Sequence, residues 1–175
     1  MRGDIGNVVL ACVDGVHFKI TEPSSIDPKW NSHKLGGSAV TYEVATNIMT
    51  GDIVGFNGPF PAGKWPDINI FRNGTKKMLS PGEKVLGDLG YRDNRVITKL
   101  DDISLQHSYA MGCARDCHET VNARLRNWGA LKLTFRHNRH DHHIYFRSAA
   151  VIEQIKFENG NPLFQINSYI DPYHI

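Results

Sequence analysis

Apolar residues along this chain fall in short runs or in stripes spaced three and four apart, never in one long block. The run "VVLACV" before Asp14 reads as a buried strand with a carboxylate at its exit. "SAVTYEVATNIM" (38–49) is rich in β-branched and aromatic residues, "TGD" (50–52) is a turn, and "IVGFNGPF" starts a partner strand. An antiparallel pair therefore follows the first strand. "KWPDINIFRNGTKKML" (64–79) reads as a helix with Pro66 in its first turn and Ile68, Ile70 and Phe71 on its apolar face. "KVLGD" and "RVITKL" are two further short strands. In "SLQHSYAMGCARDCHETVNARLRNW" (104–128), Ala114, Cys117, Val121, Leu125 and Trp128 form one helical stripe that stops at Gly129. Arg115, Glu119, Asn122 and Arg126 form a second, polar one. "SAAVIEQIKFENG" (148–160) gives a last helix. The order predicts an α/β domain whose mixed sheet begins with an antiparallel meander and is flanked by helices.

The length of 175 residues suits a single domain, 1–175, with its core at about 7–135 and a helical and extended tail at 136–175. With 41% hydrophobic and 22% charged residues, the composition is that of an ordinary globular protein. No apolar run reaches the about 20 residues needed to span a bilayer, so no membrane partner is expected. The N-terminus is a poor signal peptide, which makes an intracellular location the default. Three cysteines, Cys12, Cys113 and Cys117, do not suggest a disulfide framework. The spacing of Cys113, Cys117 and His118 to the next histidines fits no usual zinc finger.

Charge changes the picture more. The net charge is only +2, but residues 115–147 hold seven arginines and lysines against three acids, together with five histidines. Such a one-sided region favours a polyanion. Within it Arg126, Lys132, Arg136 and Arg139 are candidates for phosphate contacts, with the His/Arg run at 136–143 read as an exposed loop. The tryptophans Trp30, Trp65 and Trp128 are dispersed and read as packing residues.

The candidate chemistry is carboxylate chemistry. Alone, Asp88 in "GDLGY" is a turn residue between Gly87 and Gly90. Asp14 and Asp88 nevertheless both end predicted strands, and Glu119 sits on a polar helix face. If the fold gathers them, three acids converge with no basic run beside them, which is costly unless a divalent cation is present. Hard oxygen donors suit Mg²⁺ or Mn²⁺. Two such ions serve in-line displacement at phosphorus, and Gly87 and Gly90 would let metal and phosphate approach Asp88. Asp67 and Arg115 are candidates for support, with a helix cap and an i,i+4 ion pair to Glu119 as their plainer readings. Tyr91 is a third, beside the site or packing the strand edge.

Three motifs in order, "CVDGVHF", "GDLGY" and "RDCHETVNARLR", together with Lys34 opening the hairpin and Asp67 in "GKWPDINIF", resemble the catalytic domain of a DDE transposase of the Harbinger type, related to bacterial insertion-sequence transposases. The resemblance implies a ribonuclease H-like fold and two divalent ions, Mg²⁺ or Mn²⁺, held by Asp14, Asp88 and Glu119. The activity it implies is cleavage of double-stranded DNA at transposon ends, with joining of the 3′-OH to target DNA. It further implies nuclear location, a separate Myb-like DNA-binding protein as a partner, and room for a homo-oligomer. The N-terminal DNA-binding region usual in the family is absent from this sequence. That departure raises an alternative, a catalytically inactive or domesticated relic that binds DNA or protein.

Overall fold

The computed structural model describes residues 8–98 and 105–160. Its sheet is built from β1 (Val8–Lys19), β2 (Asn31–Ser32), β3 (Gly37–Asn47), β4 (Ile53–Pro61), β5 (Glu83–Leu86) and β6 (Val96–Ile97). The helices are α1 (Asp67–Asn73), α2 (Leu105–Arg126), α3 (Gly129–Lys132) and α4 (His142–Glu158). The sheet runs β4-β3-β1-β5-β6, with the two-residue β2 also on β3. β1, β3 and β4 are antiparallel, while β5 and β6 add on parallel to β1. This is the mixed α/β sheet with an opening meander that the sequence pattern predicts. The end of "RVITKL", Ser104 and the tail beyond 160 lie outside the described residues.

The central strands feed three apolar clusters, one of them made by Val9, Cys12, Leu86 and Ile97 with Met111 and Ala114 of α2. Val16, Phe18, Tyr42 and Val44 pack against Val121 and Leu125 of α2 and Phe146, Ala149 and Ala150 of α4. Ala11, Val13, Ala45 and Val85 face the other way, onto Phe71 of α1 and Tyr91. β3 is buried along nearly its whole length because both faces are covered.

Three elements differ from the sequence reading. Asp14 does not end the first strand. β1 continues to Lys19, paired to β3 through Gly15↔Glu43, His17↔Thr41 and Lys19↔Ala39. The alternating Val16, Phe18 and Ile20 need burial, and that outweighs the turn tendency of Asp-Gly. The helix predicted at 64–79 is short: Pro66 is its N-cap residue, and a 3₁₀ turn (Thr75–Met78) follows Gly74. The last helix starts at His142, not near 148, so the His/Arg run is not a plain exposed loop. His142 is buried, its Nδ1 hydrogen-bonded to Tyr42 Oη at 2.8 Å. The long helix ends at Arg126, close to the predicted stop at Gly129, and Gly129 opens the single turn of α3. Trp30 and Trp128 pack at the edge of the main core, and Trp65 packs on Phe60.

Candidate active site

Where β1, β5 and α2 meet, a cavity of about 280 Å³ is lined by Cys12, Val13, Asp14, Lys34, Gly87, Asp88, Arg115, His118 and Glu119. The fold therefore brings Asp14, Asp88 and Glu119 to one cavity from three elements. A larger hollow, about 580 Å³, lies beside Trp128. Its only carboxylate, Glu153, already accepts from Trp128 Nε1 and Lys156 Nζ, so it offers no comparable chemistry.

The three acids are held differently. Asp14 is partly buried, and Asn122 Nδ2 of α2 donates to its Oδ2 at 3.1 Å. Burial raises its pKa; Lys34 and the Gly15 backbone oppose that, and the Asp67 and Asp88 carboxylates add to it. Asp88 is exposed just past β5, and its Oδ1 accepts from Gly90 N at 2.8 Å. The turn role and the cavity position thus coexist in one residue. Gly87 does not serve to open the approach to Asp88: a Cβ there would meet Val96 Cγ1 at 2.8 Å and Tyr91 Cβ at 3.1 Å, so its bareness lets the strand end pack. Glu119 is exposed and engages no partner among the described residues. Among those residues, no three His, Cys, Asp or Glu side chains are grouped closely enough to hold a metal ion together.

The acids are not without basic neighbours, contrary to the sequence expectation, since Lys34 and Arg115 line the same cavity. Arg115 makes no ion pair with Glu119. Its Nη2 donates to the carbonyls of Thr98 and, at 3.5 Å, Gly87, tying α2 to the ends of β5 and β6. Asp67 makes no side-chain cap to α1. It lies against β1, and a Cβ added at Gly15 would collide with its Oδ1, Cγ and Oδ2, all within 2.9 Å. Its Oδ2 accepts from Lys34 Nζ at 3.3 Å. Tyr91 is fully buried against Phe71, with its hydroxyl unpartnered among the described residues. Arg126, Lys132, Arg136 and Arg139 are exposed, and Arg139 stacks over Trp30 at 4.9 Å.

Sequence reasoning missed two contributors. Asn122 stood on the polar stripe, but its contact to Asp14 is tertiary. His118 is buried, with Nδ1 hydrogen-bonded to Thr46 Oγ1 at 2.8 Å; burial lowers its pKa to about 4. Lys34, which the family resemblance already marks, is brought into the cavity by the fold. Sequence reasoning also passed over Glu43, which does not line the cavity; a charge inside the strand "TYEVAT" was the signal available.

Glu43 is buried opposite Gly15 on β3. Thr75 Oγ1 donates to its Oε1 at 2.5 Å, while Oε2 has no partner. Burial lifts its pKa to about 7, only partly opposed by Thr75. The folded protein therefore keeps this proton up to about pH 7, whereas the unfolded chain releases it near 4.5. Over that interval the native state binds more protons, so stability falls as pH rises and then levels off. Glu43→Gln keeps the Thr75 bond without the charge. Chemical denaturation should show the variant close to wild type at pH 4 and more stable by roughly 1–3 kcal/mol at pH 8. A difference that does not change between these pH values would contradict the assignment.

Comparison with protein families matches residues 13–152 to the family described as DDE superfamily endonuclease. Comparison with curated proteins and with solved structures gave no match.

Proposed function

The chain belongs to the DDE superfamily endonuclease family, and from that premise we propose that it cuts double-stranded DNA by metal-dependent phosphoryl transfer, with Asp14, Asp88 and Glu119 as the ion-holding residues. The observation that carries this reading is the meeting of these three carboxylates in one cavity from β1, the end of β5 and α2. The order of three antiparallel strands followed by two parallel ones supports a ribonuclease H-like fold.

The donor set fits hard divalent ions. Every candidate ligand is a carboxylate, and burial first, with the Asp67 and Asp88 charges adding to it against Lys34, raises the pKa of Asp14, a cost of holding the charged form that a cation offsets. Glu119 is exposed and engages no partner among the described residues, and Asp88 is exposed with only its Oδ1 engaged, by the Gly90 amide. When bound, two Mg²⁺ or Mn²⁺ ions would activate the attacking oxygen and stabilise the leaving one. The chain's own residues do the rest. Asn122 fixes one Asp14 oxygen, the Gly90 amide fixes one Asp88 oxygen, and Arg115 anchors α2 to the strand ends that carry the site.

Joining of the freed 3′-OH to target DNA follows from the same chemistry with a hydroxyl in place of water. Transposon ends and target DNA as substrates, the separate Myb-like partner, a homo-oligomer and nuclear location complete the reading by resemblance. Arg126, Lys132, Arg136 and Arg139 would add phosphate contacts. No helix among the described residues is long and apolar enough to cross a membrane.

The test is nicking of supercoiled plasmid by the purified chain in Mg²⁺ or Mn²⁺. The expected result is conversion to open circle that stops on chelation with EDTA and returns when metal is restored in excess. Nicking that persists in EDTA would overturn a metal-dependent mechanism.

A further inference from the structure

Lys34 is the one cavity-lining residue that brings an ammonium group to the carboxylates. It sits in the tight turn between β2 and β3, and that turn is fastened from below. Leu35 N donates to Ser32 Oγ at 3.2 Å and Gly36 N to Ser32 O at 2.8 Å. Ser32 Oγ is hydrogen-bonded to His17 Nδ1 of β1 at 2.7 Å. Gly36 takes φ 63°, the left-handed conformation this reversal needs. The backbone under Lys34 is thus tied to the strand that carries Asp14.

Among the described residues the side chain has a single anchor. Asp67 Oδ2 accepts from Nζ at 3.3 Å, with the lysine side chain 52% and the aspartate 18% exposed. An ammonium has three donors, so two stay available. Asp67 can reach this place only because Gly15 has no Cβ. A half-exposed pair of this kind adds little to stability, so its precise seating calls for another account. One cavity lined by both carboxylates and an oriented ammonium matches a phosphodiester whose oxygens are shared between a cation and a direct donor.

We propose that Lys34 is a phosphate-binding residue, its ammonium donating to a non-bridging oxygen of the DNA phosphodiester in this cavity, and that Asp67, seated against Gly15, is the positioning residue that aims it. The proposal rests on the endonuclease reading for the identity of the ligand.

The experiment is fluorescence anisotropy of a labelled 20-base-pair duplex with the full chain in Ca²⁺, over a series of salt concentrations. Removing one phosphate contact lowers the magnitude of the slope of log K against log salt by about 0.9. Lys34→Gln should show that loss, and Lys34→Arg should restore the wild-type slope. Asp67→Asn keeps the charge but frees it, so binding weakens several-fold with the slope retained. Mn²⁺ titration of Lys34→Gln is the separating arm. Its affinity should be at least that of wild type, because a competing positive charge has left the cavity. If Mn²⁺ binding and cleavage fail in wild type while the slope difference stands, the endonuclease reading falls and the phosphate site survives. If wild type binds Mn²⁺ and cleaves but Lys34→Gln keeps the full slope, or if wild type does not bind the duplex, the proposal is overturned.

Discussion

Asp88→Asn is expected to lower metal-dependent cleavage by about 10²–10³-fold, the usual cost of removing one preorganised electrostatic contributor from a phosphoryl-transfer or acyl-transfer site. The substitution is chosen for what it preserves. Asn Oδ1 still accepts from Gly90 N, the bond that shapes the turn after β5. Gly87 is untouched, so Tyr91 and Val96 keep their packing. What goes is one negative charge in the cavity shared with Asp14 and Glu119. Circular dichroism and urea unfolding should match wild type while nicking fails. Equal nicking by the two proteins would remove Asp88 from the mechanism, whatever the metal dependence of the wild type.

The second large effect is on stability. Phe146 of α4 is fully buried. It stacks on Tyr42 at 3.9 Å with an interplanar angle of 11°, and meets Phe18 edge-on at 5.6 Å and Phe56 at 5.1 Å. Phe146→Ala leaves a hole that these rings cannot fill without moving β1, β3 or β4, so about 3–5 kcal/mol should be lost. That is a large part of the roughly 5–15 kcal/mol that holds a typical domain folded. Urea denaturation measures it. A loss under about 1 kcal/mol would mean that α4 is an appendage rather than part of the main core.

The two long helices, α2 and α4, show where the sequence was legible and where it was not. The stripe of Ala114, Cys117, Val121 and Leu125 was readable because spacing alone selects a helix face, and those four residues are buried as it required. Richness in β-branched and aromatic residues likewise disclosed β3, and a short apolar run ending at Gly87 disclosed β5. The start of α4 was hidden by its composition. "HNRHDHH" reads as solvated, yet His142 and Phe146, four apart, with Ala149 and Ala150, form the buried face of the helix. A histidine that gives its ring nitrogen to a buried tyrosine behaves as a core residue, which no polarity scale expresses.

β1 carries the opposite lesson. The apolar run that stops at Asp14 predicts a strand end there, although Val16, Phe18 and Ile20 keep the alternation going. Gly15 turns out to serve a neighbour rather than a turn, since it makes room for Asp67. The acidic residues at the site were legible as types at suggestive places. Lys34 and Arg115 were legible as candidates too, but their partners were not, because the Lys34 contact to Asp67 and the Arg115 contacts to the Thr98 and Gly87 carbonyls join segments far apart in sequence. Glu43 could have been singled out as a charge in a buried strand, but its partner Thr75 lies 32 residues on.

The central claim is that Asp14, Asp88 and Glu119 act together to hold divalent metal. Calorimetric titration of Mn²⁺ into the metal-free protein, beside Asp14→Asn, tests it most directly. The account predicts saturable binding by wild type and at least a tenfold weaker affinity in the variant, about 1.4 kcal/mol. Equal binding by the two proteins, or no binding by either, would contradict it, and the latter would favour a DNA- or protein-binding module without catalysis.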